Sequence, residues 1–230
     1  MKWILLTRHH ESSKNLADRF ASTQDADILT DSGLANARRL AAEIGLFRKF
    51  LTAKTVEVHS SGSERAISSA SFIAEALGCP LIIQNGLSSL VTPHTSGRTF
   101  NEIVHADPQM ARDLNLYRGG VLDSYKVKGV GDYSRPYEEK IGISLEEIGG
   151  GPAEFAIVVA HRSVLTSGLI GIARRCNGYP TDFFGFIPID YGASTLVSLS
   201  GHGDWELHFA NLPIVSLNDI GRRLTKFDRQ

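Results

Sequence analysis

Cysteine is scarce in this sequence, which has only Cys79 and Cys176 in its 230 residues. Two cysteines cannot form a disulfide framework, and such low usage suits a reducing compartment. Neither cysteine has a second one beside it, and no two histidines are spaced to share one face of a helix. Because zinc sites need such pairs, no metal is expected. No glycine-rich segment leads into Gly-Lys-Ser/Thr, and we expect no other cofactor either.

An excess of charge of either sign is also missing. The chain has 24 Lys and Arg against 25 Asp and Glu, a net charge of −1 with histidine neutral. A near-neutral surface argues against a nucleic-acid binder and against a membrane-surface binder. The apolar run at residues 3–7 is too short for a signal peptide or a membrane span. We therefore expect a soluble, cytoplasmic protein that contacts neither nucleic acid nor membrane.

Strand and helix signals alternate along the chain. Short apolar runs predict strands at residues 3–7, 55–59, 81–83, 155–160, 193–199 and 205–209. Apolar residues at helical spacing predict helices at 33–44, 63–77, 99–106, 108–116, 137–148 and 164–175. Residues 117–131 predict a loop, and the glycines at 149–151 with Pro152 predict a break. The pattern favours one α/β domain over residues 1–230, with a mostly parallel central sheet between helices in three layers.

Charged and polar side chains follow three predicted strands at their carboxyl ends. Arg8 and His9 follow the first strand. Arg65 lies near the start of the helix after the second strand, and His161 follows the fourth. Ligands of open α/β sheets bind at this edge, where helix N-termini add backbone N–H groups and a positive dipole. Because arginine donors match phosphate oxygens, the sequence predicts an anion site, most naturally for a phosphate.

Four motifs stand in order along the chain. Residues 8–15 are Arg-His-His-Glu-Ser-Ser-Lys-Asn, and residues 29–37 are Leu-Thr-Asp-Ser-Gly-Leu-Ala-Asn-Ala. Residues 60–66 are Ser-Ser-Gly-Ser-Glu-Arg-Ala, and an apolar strand ends at His161. From about residue 2 to 212 the chain thereby resembles the histidine phosphatase superfamily. The resemblance implies a phosphoglycerate-mutase-like fold, with a variable cap segment at about residues 90–131.

The resemblance assigns roles to these residues. His9 is expected to be the nucleophile, a neutral imidazole that attacks phosphorus and forms a phosphohistidine. Arg8, Arg65 and His161 are expected to hold the phosphoryl oxygens and to stabilise the charge of the transition state. Asn15 is expected to add a hydrogen bond at the edge of the pocket. Because the arginines neutralise the phosphate, the implied reaction needs no metal.

Two positions near these residues depart from the family pattern. His10 stands where the family has glycine, which places a side chain beside the nucleophile. Arg162 follows His161, where small residues are common in the family. Arg162 is a candidate phosphate-binding residue, and the alternative is a solvated charge at the start of a helix.

The family's usual proton donor is missing. It is a glutamate in a Leu-x-Glu segment, and the register of Leu-Ser-Ser places Ser89 at its position. Serine is a poor general acid at neutral pH, and a positioned acid is worth about 10²- to 10⁴-fold in rate. His94 in the same loop is the first candidate substitute, because a histidine near its pKa can donate a proton. The other candidates are Glu102 and the substrate's own leaving group.

Together with the resemblance, these residues predict a metal-independent phosphatase. We expect a small phosphorylated metabolite as its substrate, such as a sugar phosphate, because the predicted cap holds polar side chains including Thr92 and Arg118. A phosphomutase of the same family is the near alternative. A phosphate-sensing or partner-binding protein that lost the acid at Ser89 is the other. The sequence also allows a homodimer.

Overall fold

A six-stranded sheet organises the chain in a computed structural model, which describes residues 1–17, 19–22, 27–119, 121–175, 189–213, 217 and 219. The strands are β1 (Lys2–Arg8), β2 (Val56–Ser60), β3 (Leu81–Ile83), β4 (Phe155–Ala160), β5 (Ser194–Leu199) and β6 (Trp205–Leu212). They lie in the order β3-β2-β4-β1-β5-β6. The first four pair in parallel, whereas β5 is antiparallel to β1 and to β6. The predicted α/β class with a mostly parallel sheet is therefore confirmed.

Six of the seven helices of the described residues were predicted, four of them with shorter bounds, and the short helix at 13–16 was not predicted. The helices are α1 (Ser13–Leu16), α2 (Asp31–Leu51), α3 (Glu64–Leu77), α4 (Phe100–Ala106), α5 (Pro108–Arg118), α6 (Gly131–Gly150) and α7 (Arg162–Arg175). The side chain of Thr30 caps α2 by accepting a hydrogen bond from the Gly33 N–H at 3.0 Å. Gly78 ends α3 with a φ of 60°, a left-handed conformation that glycine adopts at little cost.

Helices cover both faces of the sheet because side chains alternate along each buried strand. Ile4 and Leu6 of β1 lie in a core cluster with residues of α6 and α7. Leu5 between them lies in a second cluster with residues of α2 and α3. All six residues of β4 are buried, as expected of a central parallel strand. Helix, sheet and helix therefore form three layers.

The structure contradicts two predictions for the segments in and before α6, a break at 149–151 and a loop over 117–131. Helix α6 begins at Gly131 and continues through Gly149 and Gly150, where the sequence predicted a break. Gly149 faces the sheet so closely that a Cβ there would lie 2.8 Å from Cδ2 of Leu199. Tertiary packing against β5 therefore outweighs the low helix propensity of glycine. The predicted loop at 117–131 is also shorter than expected, because α5 reaches Arg118 and a 3₁₀ turn spans Ser124–Lys126.

The segment predicted as a cap has a small core of its own. Ile103, Met110 and Leu114 of α4 and α5 form a third cluster with Val127 and Val130. Leu90 packs against both this cluster and the core that contains α6 and α7. The segment is thereby attached to the rest of the domain at the carboxyl edge of the sheet.

Two glycines of α2 allow a test of how this edge is packed. A Cβ on Gly33 would lie 2.2 Å from the backbone oxygen of Glu11, whereas one on Gly45 would meet nothing within 4 Å. We expect Gly33→Ala to lower the free energy of unfolding by about 2 kcal/mol, because the backbone must move. Gly45→Ala is the matched control and should raise it by up to about 1 kcal/mol. Urea denaturation measures both, and equal effects would contradict the close approach.

Candidate active site

The carboxyl ends of β1, β2 and β4 bring together three predicted site residues. His9, Arg65 and His161 are each less than 8% exposed. The guanidinium of Arg65 lies between the two imidazoles, donating from Nε to Nε2 of His9 at 2.9 Å and from Nη2 to Nδ1 of His161 at 3.0 Å. The two rings lie 5.2 Å apart between centroids. Three separate strand ends thus meet in one cluster.

The hydrogen bonds of His9 fix which nitrogen carries its proton. Nδ1 lies 2.7 Å from the backbone oxygen of His10, and a carbonyl oxygen can only accept. The ring proton is therefore on Nδ1, and the lone pair of Nε2 points toward Arg65. Burial, followed by His161 and Arg65, holds the pKa of His9 well below its usual range. His9 is thus a neutral imidazole with a nucleophilic nitrogen at neutral pH.

His161 has the opposite tautomer. Its Nδ1 accepts from Arg65, so the proton is on Nε2, which lies 2.8 Å from Oγ of Ser61 and 3.3 Å from Oγ of Ser63. Burial, followed by Arg65 and Arg8, lowers the pKa of His161 well below its usual range. The residue is therefore neutral as well, and it can offer an N–H donor to an oxygen.

Arg65 is held from behind by a buried carboxylate. Its Nη1 forms an ion pair with Asp27, and both side chains are less than 10% exposed. An arginine held in this way loses little rotamer freedom on binding, because the partner has already fixed its plane. No motif indicated Asp27, which lies far from Arg65 in sequence.

Arg8 has a fixed position too. Its Nη1 donates to the backbone oxygen of Ile189 at 2.7 Å, and its guanidinium carbon lies 3.6 Å from the centre of the Tyr191 ring. Burial, followed by Arg162, lowers the pKa of Arg8 to about 10, so it remains charged at neutral pH. Its Nε is buried and has no hydrogen-bond partner among the described residues. Such a donor is suited to an oxyanion.

A cavity of about 240 Å³ opens onto this cluster. Asn15 and Arg162, predicted as phosphate ligands, both line it. Among the described lining residues are six cations and no carboxylate; the cations are Arg8, Lys14, Arg19, Arg65, Arg118 and Arg162. Motif matching missed Lys14, Arg19 and Tyr191. The sequence offered a signal for Lys14 only, which lies inside the first motif and is 7% exposed.

The structure does not bring His94 or Glu102 to the cavity. His94 is exposed and lies against Gly129, whose Cβ would be 3.1 Å from the imidazole. Glu102 caps α4 by accepting from the Thr99 N–H at 2.6 Å and lies 3.5 Å from Arg19. The hydrogen bonds from Thr99 lower the pKa of Glu102, which favours its ionised form. Ser89, which the sequence register predicts to stand where the family has its acid, does line the cavity.

His10 occupies the glycine position of the family without entering the cavity. Its side chain is 1% exposed, and its Nδ1 lies 3.3 Å from Oγ of Ser69. The Ser69 hydroxyl also accepts from the backbone N–H of His10 at 3.1 Å. Burial lowers the pKa of His10 to about 4. The extra side chain is thus a neutral packing group next to the nucleophile.

The buried histidines should make folding sensitive to mild acid. His10 has a pKa of about 4 in the folded state, against about 6.5 when unfolded. The unfolded chain therefore binds more protons as pH falls below about 6.5, and stability is lost down to the folded pKa. From His10 alone we expect the free energy of unfolding to fall by about 2 kcal/mol between pH 7 and 5. His9 and His161 act in the same direction.

Urea denaturation at several pH values measures this loss. The variant His10→Gln does not titrate, so its stability should depend less steeply on pH than that of the parent. A free energy of unfolding that stays constant between pH 7 and 5 would contradict the neutral buried state of these histidines.

The amino-acid sequence matches a known family over most of its length. Residues 4–213 match the model of the family described as Histidine phosphatase superfamily (branch 1). The chain belongs to this superfamily. The phosphoglycerate-mutase-like fold implied by the four motifs is therefore confirmed.

Relatives of this histidine phosphatase superfamily member include phosphatases and a mutase. A Hydrogenobacter thermophilus protein provisionally named phosphoserine phosphatase 2 is 27% identical over 165 residues, which cover 72% of this chain and 75% of the relative. A 2,3-bisphosphoglycerate-dependent phosphoglycerate mutase of Thermoplasma acidophilum is 26% identical over 136 residues, covering 56% and 65%. The solved phosphoserine phosphatase of Entamoeba histolytica with 3-phosphoglyceric acid has a TM-score of 0.68 at 19% identity, covering 92% and 97%. The family and these relatives support the prediction that this protein is an enzyme of the phosphatase kind.

Neither a membrane-spanning helix nor a metal-binding cluster is found among the residues that the structure describes. No helix there is long and apolar enough to cross a lipid bilayer. The same residues contain no group of three or more His, Cys, Asp or Glu side chains arranged to hold a metal ion.

Proposed function

We propose that this protein hydrolyses a small phosphate monoester through a phosphohistidine on Nε2 of His9. The observation that carries the proposal is the contact between Arg65 and the two imidazoles. It leaves Nε2 of His9 unprotonated, 2.9 Å from a guanidinium that can hold a phosphoryl oxygen. Nucleophile and charge stabiliser therefore stand side by side.

The proposed reaction has two displacements at phosphorus. First, the lone pair of His9 Nε2 forms an N–P bond, while the ester P–O bond breaks and its electron pair leaves with the ester oxygen. Arg8, Arg65 and His161 donate hydrogen bonds to the equatorial oxygens. Then a water oxygen attacks phosphorus, the N–P electron pair returns to Nε2, and inorganic phosphate leaves. The protein groups in this scheme supply position and charge.

Residues 90–131 are proposed to act as the cap that contacts the alcohol part of the substrate. Leu114, Tyr117 and Val130 of this segment line the same cavity as His9 and His161. The Hydrogenobacter relative and the Entamoeba enzyme are both named after phosphoserine, a small phosphorylated metabolite. A substrate of that size suits a cavity of about 240 Å³.

Rapid quenching of the reaction with ³²P-labelled p-nitrophenyl phosphate tests the proposal. We expect an acid-labile, alkali-stable phosphoenzyme within the first turnover, with the label in the peptide that contains His9. Chelator should leave hydrolysis unchanged. Label that accumulates until a second phosphorylated acceptor is added would favour a mutase. Phosphate binding without any label would favour a sensor and sink the proposal.

A further inference from the structure

The described lining of the cavity holds no carboxyl group that could act as general acid toward a leaving oxygen. An alkoxide leaving group is a strong base, comparable with hydroxide. Expelling it normally needs a general acid, worth about 10²- to 10⁴-fold. The described lining residues include cations, imidazoles and hydroxyls but no carboxyl group. The inference rests on the proposed function and concerns the leaving group of that reaction.

The Ser89 hydroxyl, which the sequence register places where the family has its acid, donates its proton to a neighbouring hydroxyl. Tyr137 donates its hydroxyl proton to the backbone oxygen of Ser88 at 3.1 Å. It therefore accepts from Ser163, whose Oγ lies 3.0 Å away. Ser163 in turn can only accept from Ser89, 3.4 Å from it. In this row of hydrogen bonds Ser89 donates to Ser163, Ser163 donates to Tyr137, and Tyr137 donates to the backbone oxygen of Ser88.

The other polar groups are also weak acids. Burial is the largest cause that raises the pKa of Tyr137, and burial likewise raises the pKa of Tyr117 to about 12. His9 and His161 have lowered pKa values and are neutral at neutral pH. Lysine and arginine ordinarily keep their protons up to pH values of about 10 or higher. The described lining is therefore rich in cations that stabilise negative charge and poor in groups that readily donate a proton.

We propose that the site is selective for leaving groups that depart as stable anions, and that its substrates are phosphate esters of phenols rather than of aliphatic alcohols. A phenol has a pKa of about 10, so its oxygen can leave with the P–O electron pair and no proton. The cations at the cavity stabilise the negative charge as it develops on that oxygen. The aromatic rings of Phe20, Tyr117 and Tyr191 also line the cavity and provide surfaces for an aryl group. The proposal narrows the substrate class away from sugar phosphates and also away from phosphoserine, after which the two relatives are named, because both are esters of aliphatic alcohols.

The dependence of rate on leaving-group pKa tests this proposal. We expect kcat/KM of the parent to fall steeply across a series of substituted phenyl phosphates as the phenol becomes less acidic. Acetyl phosphate, which releases a carboxylate, should be turned over readily. Simple alkyl phosphates should be turned over at least about 10²-fold more slowly than phenyl phosphate, because they need a general acid and the described lining holds no carboxyl group.

Restoring a carboxyl group should relieve this selectivity. Ser89→Glu places it on the cavity wall, and we expect it to raise alkyl phosphate turnover by about 10²-fold and to flatten the leaving-group series. Ser88→Glu is the matched control. Its side chain lies outside the cavity, so the variant should keep the parent's series. If Ser89→Glu does not fold, the parent's own series still decides the matter.

The outcomes separate this inference from the proposed function. A parent that hydrolyses alkyl and aryl phosphates equally fast, while forming the phosphohistidine, would overturn the selectivity and leave the phosphatase intact. A Ser89→Glu variant that folds without gaining alkyl phosphate turnover would also overturn it. A parent that forms no phosphoenzyme with p-nitrophenyl phosphate would refute both proposals.

Discussion

Replacing His9 with alanine is expected to lower kcat/KM for p-nitrophenyl phosphate by about 10⁴-fold or more, because His9 carries the nucleophilic nitrogen of the proposed reaction. The neutral imidazole presents Nε2 to the cluster, and Nδ1 is committed to the backbone oxygen of His10 at 2.7 Å. His161, the other imidazole of the cluster, has its proton on Nε2, which faces the hydroxyls of Ser61 and Ser63, so this nitrogen cannot attack phosphorus. The expected loss is therefore in kcat and in labelled phosphoenzyme together.

His94→Ala is the matched control for this prediction. It removes the same side chain from an exposed position outside the cavity, so we expect hydrolysis within about twofold of the parent. Thermal unfolding of both variants establishes that they fold. Appreciable phosphoenzyme in the His9→Ala variant would contradict the assignment of the nucleophile. A large loss of hydrolysis in the His94→Ala variant would support His94 as the proton donor.

Replacing Arg65 with lysine is expected to lower kcat/KM by roughly 10²- to 10³-fold although the charge is kept. Arg65 uses separate nitrogens for His9, His161 and Asp27. Lysine has one nitrogen on a flexible stem and cannot span the two imidazoles while keeping the ion pair. Because this contact is expected to matter most in the transition state, the loss should fall on kcat more than on KM.

The control for Arg65→Lys is Arg39→Lys on the exposed face of α2. Steady-state kinetics of both variants and a titration with inorganic phosphate separate catalysis from binding. An Arg65→Lys variant with unchanged kcat would show that the positive charge alone is sufficient. The separate donor nitrogens of the planar guanidinium would then be irrelevant to the reaction.

The sequence determined the scaffold and the centre of the site. Its apolar runs predicted β3 and β4 with the bounds that the structure shows. For β4 the reason is that a strand buried on both faces needs a continuous apolar stretch. Its motifs placed His9, Arg65 and His161 at strand ends, and parallel strands bring such ends to one edge of a sheet. Local pattern and topology were sufficient for these residues.

Only the tertiary structure decided what surrounds that centre. Whether His94 reaches the cavity depends on how the segment at 90–131 folds over the sheet, and no local pattern encodes that path. Asp27 and Tyr191 contact the arginines across long sequence distances. Gly149 remains helical because α6 packs tightly against β5, although glycine by itself favours a break. Contacts between distant segments carry the energies that decide such cases, and spacing along the chain does not report them.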